Sequence, residues 1–100
     1  MTEQRPTGPS NMFTPWGRAD WQTTYSPEVT FLSTPSHGGF KVTGAARDRI
    51  PDAERNSAWL APFSDDIDWY EEDCDWVIVL RNLPELFTAT ELSRLERQER

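Results

Sequence analysis

Between Ser64 and Leu80 the chain passes directly from its most charged stretch to its most apolar one, and any fold must house both. Ser64 to Asp75, SDDIDWYEEDCD, holds seven carboxylates and no base; Trp76 to Leu80, WVIVL, is apolar throughout. Residues 1 to 63 carry six acids against six bases, and residues 76 to 100 carry four against four, so the net charge of −7 belongs entirely to those twelve residues. Evenly spread acidity would concern solubility, whereas concentrated acidity concerns a site or a partner.

The apolar run is β-branched on a continuous hydrophobic background, which predicts a central strand buried on both faces. Upstream, Trp21 to Tyr25 and Val29 to Ser33 are β-branched or aromatic and are separated by the turn residues Ser26, Pro27 and Glu28. Phe40 to Thr43 is extended again after Thr34-Pro35-Ser36-His37-Gly38-Gly39, giving a three-stranded meander. Gly44 to Asn56 reads as a helical turn and an exposed loop. Trp59, Leu60 and Phe63 form a patch expected to pack on the sheet. A helix starts at Pro84 or restarts at Thr88, where Thr88-Ala89-Thr90-Glu91 matches a capping box. Its face is Leu86, Ala89, Leu92 and Leu95, and Arg94, Arg97 and Arg100 suit the negative end of its dipole. The expected fold is α+β: a small, mainly antiparallel four-stranded sheet with a C-terminal helix packed on one face. Residues 1–12, rich in Pro, Gly and Ser, are expected to be a flexible leader before a single domain over 13–100.

One hundred residues allow one modest core. Five Trp and 36% hydrophobic residues are too many for a disordered chain. The five-residue apolar run is far short of the roughly 20 residues of a membrane helix, so no membrane association is expected. The first residues lack the pattern of a signal peptide and a lone cysteine forms no internal disulfide, which together predict a cytoplasmic protein in the cytosol of whatever cell makes it. An acidic chain is repelled by nucleic acid and anionic lipid; direct nucleic-acid binding is not expected, and a basic protein surface is the natural partner.

If the extended conformation of Trp76 to Leu80 reaches backward, Glu71, Asp73 and Asp75 share one face while Glu72, Cys74 and Trp76 share the other. Carboxylates two apart along a strand sit about 6.7 Å from one another, worth roughly 0.6 kcal/mol of repulsion in water and about 2.5 at an effective dielectric of 20. The block is either a solvated loop with some charges held by Arg47, Arg49, Arg55 or Arg81, or a recognition surface. Interleaved Trp69, Tyr70 and Trp76 favour the surface, with Trp69 or Tyr70 as anchor and Asp65, Asp66, Asp68, Glu71, Asp73 and Asp75 meeting Lys or Arg. A rigid row of carboxylates can stand in for phosphates in a basic groove, a nucleic-acid mimic whose binding falls with salt.

Catalytic readings rank lower. His37 lies in a Gly-rich turn, but Cys74 is flanked by Asp73 and Asp75, which disfavour a thiolate. The acids suit Mg²⁺ or Ca²⁺, yet Asp65-Asp66-Ile67-Asp68 lacks the glycine and terminal glutamate of an EF-hand, and no P-loop, nucleophile elbow or HExxH occurs. No catalytic residue, metal or cofactor is assigned. The competing expectation is a metal-dependent or hydrolytic domain centred on His37 and the Glu71 to Asp73 cluster.

Thr14-Pro15-Trp16-Gly17, Ser33-Thr34-Pro35-Ser36-His37-Gly38-Gly39-Phe40, and Trp69-Tyr70-Glu71-Glu72-Asp73-Cys74-Asp75-Trp76 followed by Leu83-Pro84-Glu85-Leu86-Phe87 resemble an uncharacterised domain family of bacteriophages, conjugative elements and their hosts. The similarity covers most of residues 13 to 90. Its motif positions here are His37, Gly38, Gly39, Trp69, Tyr70, Glu71, Glu72 and Asp73; Pro27-Glu28 departs from an expected Pro-Gly. In size, charge and context the chain is similar to small anti-CRISPR and other anti-defence proteins. That resemblance implies a mobile-element inhibitor binding a basic host protein or nucleoprotein complex, CRISPR effectors among them.

Overall fold

The computed structural model describes residues 5–57, 67–73 and 75–98. Strand formation begins inside the expected leader. A first strand, β1 (Thr7–Pro9), is followed by a small two-stranded hairpin, β2 (Phe13–Thr14) and β3 (Gly17–Arg18), and then by β4 (Trp21–Ser26). β1 pairs antiparallel with β4, Thr7 opposite Thr23 and Pro9 opposite Trp21. Pro9 is tolerated in β1 because β1 is an edge strand, whose outward N–H groups need no ladder partner. The segment is held by long-range contacts: Trp21 Nε1 donates to Thr7 Oγ1 at 2.7 Å, and the Arg5 guanidinium donates to Glu91 and to the Leu86 carbonyl at 2.7 to 3.0 Å. Local composition could not show those contacts.

The meander forms where expected, with β5 (Val29–Ser33) and β6 (Gly38–Thr43) pairing antiparallel in turn. Two short helices follow, α1 (Gly44–Asp48) and α2 (Asp52–Ser57). The next strand, β7 (Ile67–Glu71), lies antiparallel to β6 and completes a sheet of order β1-β4-β5-β6-β7. Among the described residues the sheet therefore has five strands rather than four, and its last strand comes from the acidic block.

The apolar run is not a strand. Trp76 to Leu80 opens α3 (Trp76–Asn82), a correction to the expected central strand. A run of five apolar residues has no periodicity that separates a buried strand from a buried helix, and tertiary packing overrides β-propensity. Here Ile78, Val79, Leu80 and Leu83 are buried against the sheet, while Asn82 Nδ2 donates to the Ile78 carbonyl and closes the helix end. A short 3-10 turn (Pro84–Leu86) leads to α4 (Ala89–Gln98). The capping box forms as expected: Thr88 N donates to Glu91 Oε1 at 2.8 Å, and Glu91 N to Thr88 Oγ1 at 3.1 Å. Leu86, Leu92 and Leu95 pack on the core, but Ala89 is exposed.

Side-chain alternation along the strands gives the sheet two packed faces. The helices cover Val29, Phe40, Val42 and Tyr70 on one face. On the other, Leu32, Trp69 and Ala19 pack with Met12, Trp16 and Ile67 beneath the small hairpin. No helix among the described residues is long and apolar enough to cross a membrane. Trp59, Leu60, Phe63, Asp65, Asp66 and Cys74 lie outside the described residues.

Candidate functional site

The three sequence motifs converge at the end of the β6–β7 pair. Gly39 stands opposite Glu71, and Glu72 N donates to the Gly38 carbonyl at 2.9 Å. A side chain at Gly39 would collide with the Trp16 ring and the Tyr70 carbonyl, so the second glycine admits the tryptophan of Thr14-Pro15-Trp16-Gly17. That ring in turn meets Trp69 edge-on, with centroids 5.8 Å apart. Thr34 closes the turn around His37, its backbone N and hydroxyl donating to the His37 carbonyl at 2.7 Å each. Much of what makes the motifs recognisable is thus the packing of a turn against a strand end.

The acidic block is divided by this packing. Asp68, 5% exposed, accepts from Arg47 Nε at 3.0 Å, Arg55 Nε at 2.7 Å and the Tyr70 hydroxyl at 2.9 Å. Burial pushes its carboxyl up, but the hydrogen bonds from Arg55, Arg47 and Tyr70 outweigh that and hold it below the usual carboxylate range. The same burial, with Asp68 beside it, pushes the Tyr70 hydroxyl far up. Arg47 and Arg55, two of the four arginines considered as counter-charges, thus hold one acid of the block. Arg49 pairs with Glu85, and Arg81 with Glu54 at 2.5 Å.

Glu71 is also buried, accepts the Asp73 amide at 2.8 Å and has His37 Nδ1 at 3.7 Å from its Oε2. That separation exceeds a hydrogen bond. Asp75 is buried at the start of α3, its N donating to the Glu71 carbonyl at 2.9 Å. The expected alternation of Glu71, Asp73 and Asp75 along one strand face is therefore corrected: the strand ends at Glu71, and Glu72 and Asp73 occupy a turn. Trp69 and Tyr70, expected as an exposed anchor, are 6% and 1% exposed and belong to the two cores. Of the acids in the block that the structure describes, only Glu72 and Asp73 are exposed. No salt bridge holds either among the described residues. Burial pushes the Glu72 carboxyl up, with Asp73 and Glu71 adding to the effect and His37 opposing it.

Glu72 and Asp73 stand at the rim of a cleft of about 350 Å³ on the helical face of the sheet. Its walls are aromatic: Tyr25, Phe31, Phe40, Trp76 and Phe87, with Leu80 among them. Glu91 and Arg94 from α4 complete the charged lining. Sequence reasoning singled out Trp76 but missed Tyr25, Phe31, Phe40 and Phe87 as a group. Alternation along β4, β5 and β6 places the first three on one face, and only the register of the pairs brings them together: Phe31 stands opposite Phe40, and the Tyr25, Phe40 and Phe87 rings lie within 5.0 to 5.8 Å of one another. His37 is not in the described lining.

A family model described as Domain of unknown function (DUF7007) matches residues 9–100, a span that contains β2 to α4 and all three motifs. The chain belongs to that family. No curated protein and no solved structure matches it. The family match begins at Pro9, the end of β1.

The oxygens of Glu71, Glu72 and Asp73 can approach within 4.8 Å of one another, a spacing that could gather a hard divalent cation. Glu71 contributes from a buried position already engaged by the Asp73 amide, which leaves Glu72 and Asp73 as the exposed pair.

Proposed function

We propose that this member of the family is a non-enzymatic interaction protein, and specifically a mobile-element inhibitor of the anti-CRISPR type that binds a basic, nucleic-acid-binding surface of a host complex. One observation carries this: the exposed, unbridged Glu72 and Asp73 sit on the rim of an aromatic cleft, while Arg5, Arg47, Arg49, Arg55 and Arg81 are held by acids of the same chain. Negative charge is thus presented beside apolar surface, and much of the compensating positive charge is engaged internally. Aromatic rings are enriched at interface hot spots, and fixed charge beside them selects a partner of opposite charge. Asp65 and Asp66, which extend the acidic stretch in sequence, are proposed as further partner contacts. Asp68, Glu71 and Asp75 are assigned to the fold that supports it.

The test is capture from host lysate at low and at high salt, followed by competition with added nucleic acid. A captured nucleic-acid-binding complex released by salt and displaced by nucleic acid supports the proposal. Capture that ignores both would contradict it.

The competing reading, a metal-dependent or hydrolytic domain at His37 and Glu71 to Asp73, is favoured by the 4.8 Å grouping of the three carboxylates. It predicts that millimolar Mg²⁺ or Mn²⁺ raises the melting temperature of the wild type and not of Glu72→Gln. The binding reading predicts no such difference.

A further inference from the structure

The chain's own arginines show what the walls of the cleft accept. The Arg5 guanidinium carbon lies 4.1 Å from the centroid of Tyr25 and 5.9 Å from that of Phe87, and Arg94 lies 5.2 Å from that of Trp76. A guanidinium is planar, weakly hydrated and well suited to stacking on rings while keeping its donors free. Arg5 has its charge met by Glu91 at 2.8 Å. Glu72 and Asp73, in the same lining, hold no salt bridge among the described residues, and Arg94, the lining's own cation, lies over the Trp76 ring.

We infer that the cleft takes an arginine side chain of a partner protein, stacked on the aromatic wall with its charge met by Glu72 and Asp73. This deepens the reading of the domain as a binding module and rests on it. A volume of about 350 Å³ lies at the small end of ligand cavities, a scale that suits one long side chain rather than a bulky cofactor. Charge complementarity selects among occupants. A leucine or phenylalanine would strip water from two carboxylates and return no hydrogen bond. A lysine would answer the charge as a point but lacks the planar fork that matches a carboxylate in two places. Arginine satisfies both the rings and the acids.

The test is an amide-resolved NMR titration of the full chain with a blocked tripeptide, Ala-Arg-Ala, against the same peptide carrying citrulline, which has nearly the same shape and no charge. The arginine peptide is expected to bind at least tenfold more tightly and to shift the Trp76 indole together with the Glu72 and Asp73 amides. Asp73→Asn, at an exposed turn position, should keep the wild-type spectrum elsewhere and reduce the affinity at least threefold; Trp76→Leu should do the same if folded. Equal binding of the two peptides, or shifts confined to other surfaces, would overturn the inference. Equal binding with salt-sensitive capture of a host complex intact would overturn the cleft alone and leave the wider function standing.

Discussion

Glu71 and Glu72 are adjacent in the chain and have different neighbours: Glu71 is 5% exposed and stands opposite Gly39 in the sheet register, while Glu72 is exposed and lines the cleft with Phe31 and Phe40. One peptide bond separates a carboxylate that holds the strand end from one that faces outward. The end of β7 at Glu71 draws that line, because beyond it the backbone turns and strand alternation no longer assigns faces. The acidic block is therefore a supporting part, Asp68, Glu71 and Asp75, and an outward part that includes Glu72 and Asp73.

An outward carboxylate crowded by like charge should weaken the fold it sits on. Glu72 has its carboxyl pushed up by burial and by Asp73 and Glu71. A group whose folded value lies above its unfolded one contributes stability that is fully present below the unfolded value, about 4.3, and is lost as pH rises through the folded value. Glu72→Gln should accordingly melt above the wild type at pH 7, with the difference closing below about pH 4. Thermal unfolding across that range checks the sign; a variant less stable than wild type at pH 7 would contradict it.

Asp68 should behave in the opposite way. Its folded value is held down by Arg55, Arg47 and Tyr70 despite burial, so its contribution is present above the unfolded value of about 3.9 and is lost as pH falls through the folded one. Asp68→Ala leaves two arginines and a buried hydroxyl without their acceptor, and the expected loss is about 3 kcal/mol in urea unfolding at pH 7. A loss below about 1 kcal/mol would mean that water replaces the carboxylate.

The first turn carries a cap that the sequence disguises. Glu28 accepts from Ala45 N at 3.0 Å and Ala46 N at 2.9 Å, supplying the first turn of α1 with the acceptor that the N-cap residue Thr43 does not. Gly44, at φ 61, leaves room for that carboxylate, which a Cβ there would strike. Glu28→Ala is expected to lose about 1 kcal/mol, with Glu28→Gln losing less. Equal losses for the two would show that charge rather than an acceptor is what matters.

Gly39→Ala tests the convergence of the motifs. The added methyl must displace Trp16 or the β7 backbone, so the variant should lose stability and change the near-ultraviolet circular dichroism of the Trp16 and Trp69 pair. An unchanged spectrum would mean that the turn absorbs the methyl without moving Trp16.

What could be read in the sequence follows how local each signal is. Alternation and turn residues marked β4, β5 and β6, and the Thr88 to Glu91 box marked α4, because each signal lies within a few residues of its consequence. The departure at Pro27-Glu28 was visible, but its purpose lies 17 and 18 residues away at Ala45 and Ala46. β1 was missed because Arg5 finds its partner 86 residues on. Trp76 to Leu80 misled because five apolar residues satisfy a buried strand and a buried helix equally, and the strand position beside β6 was already taken by Ile67 to Glu71. For the site, Glu72 and Asp73 were among the marked acids, but the ring wall behind them needed the register of three strands.

Under the proposed function, the place of the charge, and not its total, selects the partner. Two doubly neutralised variants decide it: Glu72→Gln with Asp73→Asn, and Asp20→Asn with Asp48→Asn, the latter pair exposed and away from the cleft lining. Both change net charge by the same amount, so any effect of overall acidity is shared. Binding to the captured host complex, measured at one fixed salt concentration, should fall at least tenfold for the first pair and stay within about twofold of wild type for the second, a difference of about 1 kcal/mol or more. Equal affinities for the two variants would contradict the account.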